Sequence, residues 1–141
     1  MDPRVERLKY LFETMSRETV AELAQLYAVN ARFKDPFNDV RGIDEIKRIF
    51  THMFDQVDAP RFEVQEAIAG TDSAFLTWDF RFRSARMGQG DQLIHGATLF
   101  RFDPDGRVIL HRDYWDAAEE LYAKLPLIGS MMRWLQRRAR A

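Results

Sequence analysis

The hydrophobic period of this chain changes once, and that change restricts its fold more than any other feature. Up to about residue 56, apolar residues recur at helical spacing. Leu8, Leu11, Phe12 and Met15 follow an i, i+3, i+4, i+7 pattern. Val20, Leu23, Leu26 and Tyr27 form a second, shorter stripe, with Thr19 and Glu22 spaced as a capping box. Gly42 releases a third helix with the inner face Ile43, Ile46, Ile49, Phe50, Met53 and Phe54. Arg32 to Asp35, between the second and third helices, reads as a short strand ended by Pro36. After Pro60 the period is two. Phe62, Val64 and Ile68 alternate with polar residues, as do Leu76, Trp78, Phe80 and Phe82, and then Ile94, Thr98, Phe100 and Phe102. Asp103-Pro-Asp-Gly106 is a turn leading into a last strand over 107–116. Helices followed by turn-linked strands predict an α+β domain with an antiparallel sheet.

The chain of 141 residues is long enough for one domain with a real core. Residues 1–124 are expected to form that domain, and 125–141 a C-terminal amphipathic helical extension of it. There is no internal repeat and no linker before Leu125. A net charge of −1 argues against a nucleic-acid partner. The chain has no cysteine, which excludes disulfides, zinc thiolate sites and cysteine nucleophiles. Its three histidines lack close pairing, so neither a metal nor another cofactor is expected. No apolar stretch follows Met-Asp-Pro-Arg, and no run approaches a membrane span, so the expected location is cytoplasmic. Eleven Phe, three Trp and four Tyr supply more ring volume than so short a core usually needs, which suits a fold that encloses something apolar.

Two stretches carry candidate chemistry. Phe33-Lys-Asp35-Pro36-Phe37 sets a carboxylate between two aromatics on a proline turn. An aspartate among apolar side chains is costly unless it is paired or held as a poised acid or base. The alternative is a plain turn cap. In the last strand Ile109, His111, Asp113 and Trp115 share one face, and Val108, Leu110, Arg112 and Tyr114 the other. Both faces are mixed, so this parity alone leaves the inward face open, and a bulge would exchange the faces partway along. His111 and Asp113 have side-chain bases about 7 Å apart, within reach of a hydrogen bond. His95 and His52 fall off the inward faces.

The order and spacing of Leu26-Tyr27-Ala28, Phe33-Lys-Asp35-Pro36, Gly42-Ile43 with Ile46 and Phe50, and Thr98 to Phe102 before Asp105-Gly106-Arg-Val108 resemble the nuclear transport factor 2-like superfamily. Within it, the SnoaL-like polyketide cyclases and ketosteroid isomerases are most similar, over roughly residues 5–120. The resemblance implies a cystatin-like cone, with a curved sheet wrapped around the N-terminal helices and a hollow as the binding site. It implies that Thr98, Phe100 and Phe102 face inward, and that His111, Asp113 and Trp115 do so on the next strand. The ketosteroid isomerase base is the aspartate of an Asp-Pro pair, here Asp35. That branch binds the oxyanion with a helix tyrosine and a protonated strand aspartate. Thr98 stands at the strand position, and the tyrosine falls at Tyr10 or Leu11, which implies an altered oxyanion site. Asp79 with Arg81 and Arg83 resembles the Asp-Arg-Asp set of limonene epoxide hydrolases, but its parity turns it outward.

The expected function is therefore a cofactor-independent isomerase, cyclase or dehydratase acting on a small hydrophobic carbonyl compound. Asp35, His111 and Asp113 are the catalytic candidates. Tyr27, Phe50, Trp78, Thr98, Phe100 and Trp115 are the substrate-binding ones. The alternative is a non-catalytic ligand-binding or dimerisation module. A homodimer is expected through Leu99, Leu110 and Tyr114 on the outer sheet face. In the tail, Leu127, Ile128, Met131, Met132, Trp134 and Leu135 interleave with arginines, and Ser130 starts a helix. Packing on the domain or on a partner copy is favoured there over a lid or a membrane contact.

Overall fold

The computed structural model describes residues 2–87, 90–120, 134–135 and 137–140. Helix α1, Pro3–Glu13, starts at an Asp2 cap whose carboxylate accepts the Arg4 N–H, with Pro3 in the first turn where its missing N–H costs nothing. It buries Val5, Leu8, Leu11 and Phe12. The second stripe is a 3-10 turn, Val20–Glu22, followed by the single-turn α2, Leu23–Leu26. Thr19 makes no cap to this segment; its hydroxyl instead accepts the Ser16 N–H. The capping box is therefore not formed. Helix α3, Ile43–Gln56, follows Gly42, whose φ of 107° suits a glycine, and buries Ile46 and Phe50.

Six strands form one curved, unclosed sheet in the order β2-β1-β6-β5-β4-β3. They are β1 (Tyr27–Lys34), β2 (Asp39–Arg41), β3 (Asp58–Ala69), β4 (Ser73–Arg83), β5 (Gln92–Phe102) and β6 (Val108–Tyr114). Four of the five pairings are antiparallel, and β1 with β6 is parallel. The expected short strand at Arg32 begins five residues earlier, at Tyr27, which therefore belongs to the sheet and not to a helix stripe. A short helix Ala117–Glu120, α4, follows β6. The expected tail helix falls largely outside the described residues; of it, 134–135 and 137–139 are helical, with Trp134 and Leu135 exposed.

The concave face of the sheet packs on α1 and α3. Along β4, Ala74, Leu76, Trp78, Phe80 and Phe82 are buried, while the residues between them are not. Bulges modify the simple alternation elsewhere. Val64 pairs with Trp78, but the register slips before Glu66, so Ile68 pairs with Phe75 and both lie exposed on the outer face. In β6 a slip between the Phe102–Val108 and Arg101–Leu110 pairs turns Val108 and His111 inward together. Ile109 is consequently exposed and does not share a face with His111. The turn before β6 forms as expected, with the Asp103 carboxylate accepting the N–H groups of Asp105 and Arg107 and Gly106 at φ 81°.

Candidate functional site

Between α3 and the inner sheet face lies a hollow of about 480 Å³, within the size range of small-molecule sites. Its wall is mostly apolar: Phe33 from β1, Phe50 and Met53 from α3, Phe62 from β3, and Trp78, Phe80 and Phe82 from β4. Phe62, Phe80 and Phe82 stack at centroid spacings of 4.6 and 5.1 Å. Asp35, Asn38, His52, Gln56, Ser84 and Asp113 bring polar atoms to it, and Phe37 and Trp115 meet edge to face at 5.6 Å. An adjoining void of about 20 Å³, the room of one water molecule, is lined by Phe12, Leu76, Thr98, Phe100 and His111. Phe50, Phe62, Trp78 and Asp113 line both spaces, so Asp113 stands at their boundary.

Asp113 is the end point of a directed hydrogen-bond network. The Trp78 Nε1–H donates to Thr98 Oγ1 at 2.9 Å, and the Thr98 hydroxyl donates to Asp113 Oδ1 at 2.6 Å. His111 Nε2 lies 2.8 Å from the same oxygen, and His111 Nδ1 lies 2.6 Å from the Tyr27 hydroxyl. The tautomer follows from these partners. Burial, reinforced by the Asp113 charge, pushes the Tyr27 phenol well above its ordinary pKa, so it keeps its proton. His111 Nδ1 is the one acceptor for that proton among the described residues, so the Tyr27 O–H donates to Nδ1 and the Nε2–H donates to Asp113. Every donor in the chain thus points toward one carboxylate oxygen. No donor among the described residues reaches Asp113 Oδ2. Because no buried side-chain oxygen among them lacks a partner, Oδ2 is at least partly accessible, on a residue that lines both spaces.

The catalytic and binding candidates separate into three groups. His111 is 2% exposed, has both nitrogens occupied, and sits among the rings of Phe33, Phe100, Phe12 and Phe50 at 4.6 to 6.1 Å. It can act on a ligand through Asp113 but does not face the large hollow. Tyr27, Thr98 and Phe100 are likewise behind the wall; Tyr27 serves His111, and Thr98 serves Asp113. Asp113, Phe50, Trp78, Trp115 and Asp35 line the hollow itself. Asp35 is also a turn residue: its Oδ1 accepts the backbone N–H groups of Phe37 and Asn38, and the Asn38 side-chain amide, at 2.7 to 3.1 Å. Among the described residues Oδ2 receives only that amide, at 3.2 Å.

Several lining residues were not singled out as site residues from the sequence. Phe80, Phe82 and Ile94 share inward parity with Trp78, so the signal for them was present. Asn38, Gln56 and Ser84 carried none, because loop and helix-end positions have no parity to read; His52, read from the sequence as off the inner face of α3, is exposed and also lines the hollow. Gly96 lines neither space but shapes the wall. It pairs with Trp78, and a Cβ there would meet the indole at 2.3 to 2.8 Å. The bare backbone lets the indole lie flat on β5, where its N–H reaches Thr98.

Residues 8–111 match the family model of the SnoaL-like domain. The chain belongs to that family. Among curated proteins none matches its sequence. Similar solved structures include an NTF2-like protein of unknown function from Burkholderia pseudomallei, 17% identical, with a TM-score of 0.73 over 84% of this chain and 95% of that one. A hypothetical protein with a ketosteroid isomerase-like fold from Catenulispora acidiphila, solved in complex with trimethylamine, is 14% identical, with a TM-score of 0.74 over 89% and 95%. An M. tuberculosis LEH-like epoxide hydrolase is 15% identical, with a TM-score of 0.66 over 98% and 93%. At these identities the likeness is one of fold. The Asp79-Arg81 pair of this SnoaL-like chain is on the outer face, where Asp79 bonds His95 and Arg81 bonds Glu63. No arginine lines the hollow among the described residues.

Proposed function

We propose that the protein is a cofactor-independent isomerase, cyclase or dehydratase acting on a small hydrophobic carbonyl compound held in the hollow. The observation that carries this reading is the Asp113 carboxylate at the wall of an aromatic-lined hollow, with one oxygen fixed by Thr98 and His111 and the other without a donor among the described residues. Asp113 Oδ2 takes a proton from the carbon next to the substrate carbonyl. The resulting acid returns it to another carbon in an isomerisation, or to a departing hydroxyl in a dehydration. Donors held on Oδ1 keep the carboxylate oriented through both steps, and Tyr27 fixes the His111 tautomer behind it. Ser84, Gln56 and His52 are the wall donors for the developing enolate.

Asp35, the base that the family resemblance implies, is the second carboxylate of the site. Its occupied Oδ1 and its turn geometry favour a rim role over proton transfer. Turnover of enolisable ketones and hydroxylated polyketide-like compounds by wild type, Asp113→Asn and Asp35→Asn tests the assignment. Asp113→Asn should lower the rate by about 10² to 10⁴, the usual cost of losing a general base. Retained turnover in Asp113→Asn with loss in Asp35→Asn would move the base to Asp35. Binding of these compounds without turnover by wild type would identify a ligand-binding module.

A further inference from the structure

The small space adjoining the hollow bears on which of the three reactions the site runs. Leu76, Thr98 and Asp113 are cross-strand partners in one row over β4, β5 and β6, and with His111 and Phe100 they line a space of about 20 Å³. A probe volume of about 10–15 Å³ already holds one water where polar groups face it, whereas a purely apolar void stays dry. His111 has both nitrogens engaged, and Asp113 Oδ1 accepts from Thr98 and His111. Thr98 Oγ1 accepts from Trp78 and donates to Asp113, so one of its two lone pairs remains. Asp113 Oδ2 receives no donor among the described residues. The side chains around the space thus retain two acceptors and no free donor, which matches the two O–H groups of one water molecule.

Phe50, Phe62, Trp78 and Asp113 line this space and the hollow alike, so a water there lies beside the carboxylate that handles the substrate's protons. An isomerisation, or a ring closure by carbon–carbon bond formation, releases no small molecule and has no use for such a place. A dehydration releases one water. We propose that the small space receives the reaction water, and that the substrate class is an apolar β-hydroxy carbonyl compound, converted to the conjugated enone plus water. Asp113 takes the proton from the carbon next to the carbonyl, and the electron pair of that C–H bond becomes the new double bond by way of the enolate. The C–O bond at the β-carbon breaks, and the departing hydroxide takes the proton back from Asp113 as water. The regenerated carboxylate and Thr98 Oγ1 then accept its two O–H groups. This inference rests on the reading of Asp113 as the base, and selects dehydration within it.

Two probes of one carbon skeleton test it on the full chain. A phenyl-substituted β-hydroxycyclohexanone must lose water, and the β,γ-unsaturated phenylcyclohexenone must isomerise, to reach the same conjugated enone, whose absorbance reads both reactions. Wild type should eliminate water from the first probe. Leu76 lines the small space and not the hollow, and takes no part in the hydrogen-bond network. Leu76→Phe, which fills the space, should lower the ratio of elimination to isomerisation about tenfold, as expected for losing one hydrogen-bonded place for the water. Leu76→Met, a volume-conserving swap with a longer side chain, should lower it less and guards against a variant that fails to fold. A high-resolution crystal structure of the wild-type chain should show one ordered water within hydrogen-bond distance of Asp113 Oδ2 and Thr98 Oγ1. Isomerisation without elimination, a ratio unmoved in the Leu76 variants that fold, or a dry space overturns the dehydration and leaves Asp113 as the base. Action on neither probe overturns the inference together with the reading of Asp113 beneath it.

Discussion

The Tyr27 hydroxyl lies 2.6 Å from His111 Nδ1, a bond that joins β1 to β6 across 84 positions of sequence. Both partners are almost fully buried, so neither can exchange the other for water. Through His111 the bond reaches Asp113, which makes Tyr27 a structural determinant of the site without touching its hollow.

Tyr27→Phe should therefore destabilise the fold by about 1–3 kcal/mol at neutral pH, the cost of leaving a buried acceptor unpaired. The pH dependence has a definite sign. Burial raises the phenol pKa in the folded state, so the contribution of Tyr27 is fully present below the ordinary tyrosine value of about 10 and is lost as the pH rises toward the raised one. Denaturant titrations from pH 8 to 11.5 should show wild type losing stability more steeply than Tyr27→Phe above pH ~10. Parallel curves would contradict the protonated, buried phenol.

Gly96→Ala inserts a methyl group where the Trp78 indole lies, at 2.3 to 2.8 Å. The ring cannot yield freely, because Phe62 packs against it at 5.5 Å and Thr98 holds its N–H. Overpacking of this kind costs about 1–3 kcal/mol. Trp78 emission should shift as its N–H leaves Thr98, and turnover should fall with it. An unchanged emission spectrum and urea midpoint would show that the indole has another place to go.

Arg4 connects the start of α1 to the turn between β3 and β4. It donates to the Asp2 carboxylate at 2.7 Å and to the carbonyls of Thr71 and Gly70, with its guanidinium 4.3 Å from the Phe102 ring centroid. Its bonds hold the Asp2 pKa down at about 2 instead of 3.8. The stability this lends is present above pH ~4 and lost as the pH falls toward 2. Arg4→Ala should thus lower Tm at pH 7, and the gap to wild type should narrow in acid. A gap that stays constant from pH 7 to 2 would assign the effect to the Thr71 and Gly70 carbonyls and the Phe102 ring instead of Asp2.

The tail gives a prediction about assembly. Trp134 and Leu135 are exposed, with the Arg138 guanidinium 5.4 Å from the Trp134 ring centroid, and Tyr114 adds exposed apolar surface on the outer sheet face. A chain ending at Pro126 should change oligomeric state or ligand affinity, read by light scattering and by dialysis. Identical mass, solubility and binding would mark residues 127–141 as dispensable.

Periodicity in the sequence determined the first and third helices, the strands after Pro60, and which face of β4 and β5 is buried, because an unbroken strand has a period of two and one apolar side. It also pointed to Asp35, His111 and Asp113 as the polar groups worth placing. Their division of labour depended on the tertiary structure. Local spacing cannot show that a bulge turns Val108 and His111 inward together, that Tyr27 leaves its helix stripe to pair with β6, or that the flat indole of Trp78 requires Gly96. Each depends on which residue of a distant strand lies opposite, and register across a sheet is set by the packing of the whole core.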